Sequence, residues 1–366
     1  MDIDSIQERH GRAYHLPWEL SKMGHQVSGL FLDYRSSEGC WRRSDDRFSI
    51  SVCSLKSRAF LRPDCYYREL RRVIRLQRPD IVIAGSDALN VVIGYHTAKR
   101  LKVPFVADIK DDYSAFGMTT IVPFLERAYY RCLKNADLIT CASSSLQNTL
   151  LAKGISHTIA LENAVPANFS LDITTEEARQ KLNLPPDTFL FGVAGALSAS
   201  RDIATVLEGA HRFLLGANNA ALVLAGPRDE NFDVSEDVAN QVYDLGKLPP
   251  SKVPILFKAL DLGVIPNKPG SFGNHCYPQK YNEMLACGLP ICASRVGVFD
   301  TEVPQQGIVA LFEAGDAESF LTSLQAYTRT PPHTTAITSG TSVHWSNRAQ
   351  ILNKEICKLL IKNHTN

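Results

Sequence analysis

Short apolar runs alternate with longer stretches of helical periodicity along most of the chain. In the first half the runs fall at residues 26–32, 48–54, 80–84, 103–108 and 138–141, with helix-like segments at 66–77, 89–100 and 123–135. In the second half they fall at 189–194, 220–225, 262–265, 289–293 and 307–312, with helices fitting 203–215, 251–259, 279–287 and 317–328. Runs rich in Val and Ile, separated by helices, predict β-α-β units and parallel sheets. The runs are continuous rather than alternating, as expected of strands buried on both faces.

The pattern breaks at 162–187, which carries Pro166, Pro185 and Pro186 around a polar middle, and a hinge is expected there. The stretch 331–341 is rich in Thr, Ser and Pro and reads as a loop, and 349–361 reads as a last amphipathic helix. A helix over 15–23 leaves only residues 1–6 for the first strand that a doubly wound domain normally begins with. The organisation expected is an N-terminal domain over 1–165, a second domain over 166–345, and a C-terminal helix over 346–366 packing back towards the first. A chain of 366 residues suits two domains of roughly 150–200 residues each. The fold class expected is α/β, two Rossmann-like doubly wound domains facing across a cleft, with ligands beyond the carboxyl ends of the strands.

Composition narrows the function. Lys+Arg total 39 against 38 Asp+Glu, a balance that argues against a nucleic-acid partner. Nine cysteines without a CxxC pair fit buried thiols in a reducing compartment, hence a cytoplasmic location. The start of the chain shows no apolar signal segment, and no window is long and apolar enough to span a membrane. Neither a G-x-G-x-x-G fingerprint nor a P-loop is present, so any phosphate chemistry is of another kind.

Chemistry concentrates between Gly270 and Pro290. Pro278 stands where a first-turn proline opens a helix, after a glycine-containing loop that lets backbone approach a ligand. A helix start is an anion seat. Tyr281, Met284 and Leu285 share one face, whereas Lys280, Glu283 and Cys287 share another. Glu283 either accepts from the two hydroxyls of a ribose or pairs with Lys280 on a solvated face.

Pro278-Gln-Lys280-Tyr-Asn-Glu283-Met-Leu-Ala286-Cys-Gly288-Leu-Pro290 resembles the P-x-K-x-x-E-x-x-A-x-G-x-P signature of the family 4 (group 1) retaining glycosyltransferases, which have the GT-B fold. Leu20-Ser-Lys-Met-Gly24-His25-Gln-Val27, Arg78-Pro-Asp80-Ile-Val82, Glu162-Asn163-Ala-Val165 and Gly226-Pro227 are similar to further motifs of that family, in the same order. The resemblance implies that Glu283 binds the donor ribose and that Gly195-Ala-Leu-Ser-Ala-Ser-Arg201-Asp202 is the diphosphate loop, with Arg201 on the leaving phosphate. It also implies that Gly246-Lys247-Leu248 reads the nucleobase through its backbone, and that the amides at Cys276, Tyr277 and Pro278 hold the β-phosphate and sugar.

Several positions depart from the family pattern. His275 replaces a glutamate that contacts the transferred sugar, with Asn274 beside it. Ala196 replaces the first arginine of the diphosphate pair, so the grip is left to Arg201 and Lys280. Arg9-His10-Gly11-Arg12 stands in place of a Gly-Gly loop, putting His10 on the acceptor side. Asp111, after the run 103–108, either orients an acceptor hydroxyl and takes its proton or caps the following turn.

The function implied is transfer of a sugar from a nucleotide diphosphosugar, UDP- or GDP-linked, to a glycan, lipid-linked or small-molecule acceptor with retention, without cofactor or metal. Two other readings share the fold: a nucleotide-sugar epimerase or hydrolase, and an inactive nucleotide-sugar-binding relative. The basic, aromatic segment 123–134 is either a sheet-covering helix with a solvated face or a peripheral contact with the inner face of a membrane.

Overall fold

The structure is a computed structural model and describes residues 6–33, 40–54, 56–57, 60–61, 63–85, 87–113, 119, 122–228, 234–270, 272–301, 307–329 and 344–364. The chain divides into two compact units. The first comprises Met1–Ala142, Leu146–Glu162 and His344–Asn366, the second Ser143–Ser145 and Asn163–Val343.

In the first unit, α1 (Arg12–Lys22) leads to β1 (Val27–Asp33), β2 (Cys40–Asp45) and β3 (Phe48–Ser54). β1 and β3 pair in parallel, and β2 adds antiparallel to β3. There follow α2 (Pro63–Gln77), β4 (Val82–Gly85), α3 (Ala88–Leu101), β5 (Phe105–Ile109), α4 (Leu125–Lys134), β6 (Leu138–Cys141), α5 (Ser144–Ala152) and β7 (Thr158–Ala160). β4 to β7 form a parallel sheet in sequence order. Phe105, Ala107 and Ile109 of β5 pack with α3 and α4 on one face, whereas Val106 meets Leu16, Leu20, Ala349, Leu352 and Ile356 on the other. Burial on both faces is why this strand reads as an unbroken apolar run.

The second unit begins with α6 (Thr175–Leu182) and continues through β8 (Phe189–Ala194), α7 (Ile203–Leu215), β9 (Ala220–Ala225), β10 (Val242–Asp244), α8 (Val253–Ala259) and β11 (Leu262–Ile265). It closes with α9 (Gln279–Ala286), β12 (Ile291–Ser294), β13 (Ile308–Phe312) and α10 (Ala317–Arg329). The sheet runs β10-β9-β8-β11-β12-β13, with every pair parallel. In the order of the unit's own strands this is 3-2-1-4-5-6, the doubly wound arrangement. Leu190 and Ala194 of β8 belong to one apolar layer, Phe191 and Val193 to the other. α11 (Trp345–His364) belongs to the first unit, with Trp345 fully buried and His25 Nε2 2.6 Å from Asn353 Oδ1.

Several expectations need correction. Ile6 is helical, so no strand reaches the described end of 1–6, and residues 1–5 lie outside the described residues. The loop expected at 331–341 lies wholly outside them as well. The 162–187 stretch holds α6, started by a capping box between Thr174 and Glu177. The first turn expected for the 251–259 helix is a 3-10 turn at Pro250–Lys252.

Candidate functional site

In a sheet of this order the loops after β8 and β11 leave towards opposite faces, which opens a crevice at the carboxyl ends of these two strands. Both loops carry the residues singled out above. Gly195 N donates to Ala225 O at 2.8 Å, and a Cβ on Gly226 would collide with the Gly195 carbonyl. With φ of +118° and +152°, Gly195 and Gly226 let two backbone loops touch where any side chain would part them.

Arg201 ends a one-turn 3-10 helix, Ala199–Arg201. Its Nη1 donates to Asn267 Oδ1 at 3.0 Å, and its guanidinium lies 4.2 Å from the centre of the Phe272 ring. Asn267, just beyond β11, is 1% exposed and its amide donates to Ser294 Oγ at 2.8 Å. The arginine is thus aimed by a buried amide and a ring from the neighbouring loop. Asp202 takes a left-handed conformation (φ 55°) where the family pattern has glycine. Its carboxylate accepts from Thr205 Oγ1 at 2.9 Å and from Gly315 N at 2.8 Å, which anchors the loop.

Pro278 is the N-cap of α9 rather than its first residue, and no side chain caps this end among the described residues. The helix start is tied elsewhere: Asn163 Nδ2 donates to Tyr277 O at 2.9 Å, and Asn282 Nδ2 to Asn163 O at 2.6 Å. Tyr281, Met284 and Leu285 are buried as expected. Cys287 is buried too, among the Tyr281 and Met284 core, so it does not share the stripe of Lys280 and Glu283. Those two are half-buried and make no ion pair with each other among the described residues. Glu283 Oε1 accepts from Gln279 Nε2 at 3.1 Å.

Lys280 reaches over Gly195. A Cβ on Gly195 would stand 2.7 Å from its Nζ. Burial is the main force holding the Lys280 ammonium below the usual lysine range; Glu283 supports the charge and Arg201 opposes it. Lys280 therefore feels the charges of both Arg201 and Glu283.

Asn274 is exposed, His275 and Tyr277 half-buried, and Cys276 and Pro278 buried. The loop is closed by Asn274 N donating to Gly270 O at 2.9 Å and Cys276 N to Phe272 O at 2.9 Å. Ser143 and Ser145 fall with this unit. Ser143 Oγ donates to His275 O at 2.8 Å, and Ser145 Oγ donates to Asn274 O at 3.0 Å while lying 3.2 Å from His275 Nδ1. Lys247 is exposed, and Leu248 packs partly on the core beside β10.

In the first unit, Arg12 opens α1 behind Gly11 (φ 73°) and is 6% exposed. Its Nε donates to Asp108 Oδ2 at 2.9 Å and its Nη1 to Leu161 O at 2.5 Å; Thr140 Oγ1 donates to Asp108 Oδ1 at 2.5 Å. One guanidinium so ties the carboxyl ends of β5 and β7, and Asp108 joins β6 through Thr140. Asp111, just beyond β5, is half-buried, and His10 Nδ1 lies 3.8 Å from Glu8 Oε2. Sequence reasoning missed Arg12, Asp108, Asn267 and Phe272 as members of these constellations. Asn267 and Phe272 follow a predicted strand, which was the available signal.

Among the described residues no set of three His, Cys, Asp or Glu side chains gathers that could hold a metal ion. No helix among them is long and apolar enough to cross a membrane.

Residues 12–161 match the family described as "Glycosyl transferase 4-like domain", and residues 188–329 that described as "Glycosyl transferases group 1". A putative teichuronic acid biosynthesis glycosyltransferase of Bacillus subtilis is 25% identical over 47% of this chain and 44% of its own length. A GDP-mannose-dependent alpha-mannosyltransferase of Mycobacterium tuberculosis is 24% identical over 62% of this chain and 58% of its own. The aligned stretches thus span about half the length of these curated relatives. Among solved structures, sucrose-phosphate synthase of Thermosynechococcus elongatus superposes with TM-score 0.70 at 15% identity, over 94% of this chain and 90% of that one. Anabaena HepE in complex with UDP-glucose does so with TM-score 0.63 at 16% identity, over 92% and 98%. With both family descriptions matched in order over most of its length, the chain belongs to the group 1 glycosyltransferases and has the GT-B fold.

Proposed function

We propose that the protein transfers a sugar from a nucleoside diphosphosugar to an acceptor hydroxyl with retention at the anomeric carbon. The observation that carries this reading is the position of Lys280, which lies over Gly195 at the carboxyl end of β8 and interacts with both Arg201 and Glu283. Two cations and an uncapped helix start at a doubly wound switch point suit a diphosphate, and a carboxylate one turn further along suits the ribose.

As the glycosidic bond breaks, the sugar becomes oxocarbenium-like and negative charge builds on the departing diphosphate. Arg201, Lys280 and the first amides of α9 stabilise that charge from positions fixed before the reaction begins. Glu283 accepts from the ribose hydroxyls, and the backbone at Lys247 and Leu248 meets the base. Asn274, His275 and the backbone of Cys276 and Tyr277 face the sugar, where His275 contacts a hydroxyl. On the acceptor side Asp111 orients the hydroxyl and takes its proton, with His10 as a second polar group. The donor is UDP- or GDP-linked, in keeping with the UDP-glucose complex of HepE and the GDP-mannose dependence of the mycobacterial relative. A cytoplasmic location fits the buried thiols of Cys53, Cys132, Cys141, Cys276, Cys287 and Cys292.

A thermal-shift panel of UDP, GDP and ADP tests the reading. A ligand at a hundredfold excess over its Kd stabilises by about 2.7 kcal/mol. Stabilisation by none of them overturns it. Binding without turnover on any acceptor favours an inactive relative, and donor cleavage or epimerisation without acceptor favours a hydrolase or epimerase.

A further inference from the structure

The second unit holds a pocket of about 370 Å³ at the amino ends of β8 and β9, where Phe189 and Ala220 begin these strands and the last turns of α7 and α10 meet. The donor loops leave the carboxyl ends of the same sheet, so this pocket shares no residue with the site assigned above. Its volume falls within the range of about 300–1,000 Å³ typical of small-molecule sites. The floor is apolar and fixed: Phe213, 8% exposed, meets the half-buried Phe189 ring edge-on at 6.5 Å, and Tyr327 tilts against that ring at 6.0 Å. The rim is polar. Asn219 Nδ2 donates to Asp187 O at 2.8 Å, which aims the amide and leaves its oxygen as an acceptor. The half-buried Gln325 amide makes no hydrogen bond among the described residues. Arg212 is spent on Glu208 and Glu318, whereas Arg329 is exposed and in no ion pair among the described residues.

We propose that this pocket binds a pyranose ring of a neutral glycan, remote from the transfer chemistry. A pyranose has an apolar C–H face that suits the phenylalanine floor, and a girdle of hydroxyls that each donate and accept. Planar amides and a guanidinium match such hydroxyls in pairs. A wholly apolar ligand would leave the Asn219 and Gln325 amides without partners. A phosphate would find a single unneutralised cation, where tight anion sites gather several charged donors. The choice of a sugar over other hydroxylated rings rests on the transfer reading, because a chain that transfers sugars meets a glycan as acceptor or product. Holding a long acceptor at a second point raises its effective concentration without any new contact at the reacting end.

The test applies the full chain to an array of immobilised neutral and sulfated oligosaccharides, followed by calorimetry with the neutral one best retained. N219A/Q325A is expected to weaken that binding by about tenfold or more, since each lost neutral hydrogen bond contributes about three- to tenfold. G216W is expected to block it. Gly216 lines the pocket at φ −99°, and a Cβ there meets only Phe213 O at 3.7 Å, so a tryptophan enters without backbone strain. Both variants keep the nucleotide-induced thermal shift, and Glu283→Ala leaves glycan binding in place. Wild type that gains no stability from nucleotides yet holds a glycan through Asn219 and Gln325 supports the pocket and fails the transfer reading. Retention of no neutral oligosaccharide overturns the proposal, as does binding that survives both N219A/Q325A and G216W. Retention of sulfated oligosaccharides alone, lost with R329A, also overturns it and marks an anion seat.

Discussion

Lys280 fills the space that a side chain on Gly195 would need, with its Nζ 2.7 Å from where a Cβ would stand. The two residues lie far apart in sequence, yet the glycine makes room for the lysine. Gly195→Ala therefore does two things. It strains a backbone at φ +118°, at about 1–3 kcal/mol, and it pushes the ammonium off the phosphate seat. The expected result is a lower Tm together with at least a tenfold loss of nucleoside diphosphate affinity by calorimetry. In a Lys280→Met background the affinity cost of Gly195→Ala should largely vanish, because the two act through one contact. Additive losses would refute the relationship.

The same burial makes donor binding depend on pH. Burial first, with Arg201 adding to it against the support of Glu283 and Cys276, holds the free-state Lys280 pKa below the ordinary lysine value. A diphosphate favours the ammonium and raises that pKa, so between the free and bound values binding takes up a proton and affinity falls as pH rises. For folding the sign is opposite. In the window between the folded pKa and the unfolded value near 10.4 the unfolded chain holds more protons, so this group's unfavourable contribution fades as pH rises. Titrations in buffers of different ionisation enthalpy should reveal the proton, and Lys280→Met should abolish it.

What could be read in advance follows from burial. β8, β9 and β11 are covered on both faces, so their apolar runs stand out. β2 (Cys-Trp-Arg-Arg-Ser-Asp) is polar and lies at the edge of its sheet, and β7 is three residues long; neither has a pattern to detect. α6 is polar and short, although the Thr174 and Glu177 pair was a legible start signal. At the site, the Pro278–Pro290 motif was visible as a local pattern. The lysine over Gly195, the Arg201–Asn267 bond and the Arg12–Asp108 pair join distant segments, and only the fold brings them together.

Arg12 and Asp108 set the stability of the first unit. Burial disfavours the charge on each, but their mutual attraction outweighs it: the Arg12 pKa is raised and that of Asp108, helped by Thr140, is lowered. Removing one partner leaves the other buried without its counter-charge, so Arg12→Ala should cost about 3–5 kcal/mol in urea unfolding at neutral pH. Arg12→Met with Asp108→Ala should recover part of that loss. The depressed Asp108 pKa gives stability that is present above the unfolded value near 3.9 and is lost as pH falls through the folded value. The wild-type advantage over the double variant should accordingly shrink in acid. An advantage that persisted there would exclude the pair as its source.

On the proposed reading Glu283 is separable from the phosphate grip, because it would meet a different part of the donor. It is half-buried and accepts from Gln279 on its own helix, so Glu283→Ala should leave the unfolding free energy within about 0.5 kcal/mol of wild type. A carboxylate accepting from ribose hydroxyls contributes about 1.5–3 kcal/mol per charged hydrogen bond, so affinity for the nucleoside diphosphate should fall by at least tenfold. The sharper measure is the ratio of affinities for the ribo- and 2′-deoxyribonucleoside diphosphates. Wild type should prefer the ribonucleotide, and Glu283→Ala should erase that preference. Lys280→Met should weaken both ligands and leave the ratio alone. If Glu283→Ala kept the preference, the carboxylate would have no part in holding the pentose, and the direction assigned to the donor along α9 would be wrong.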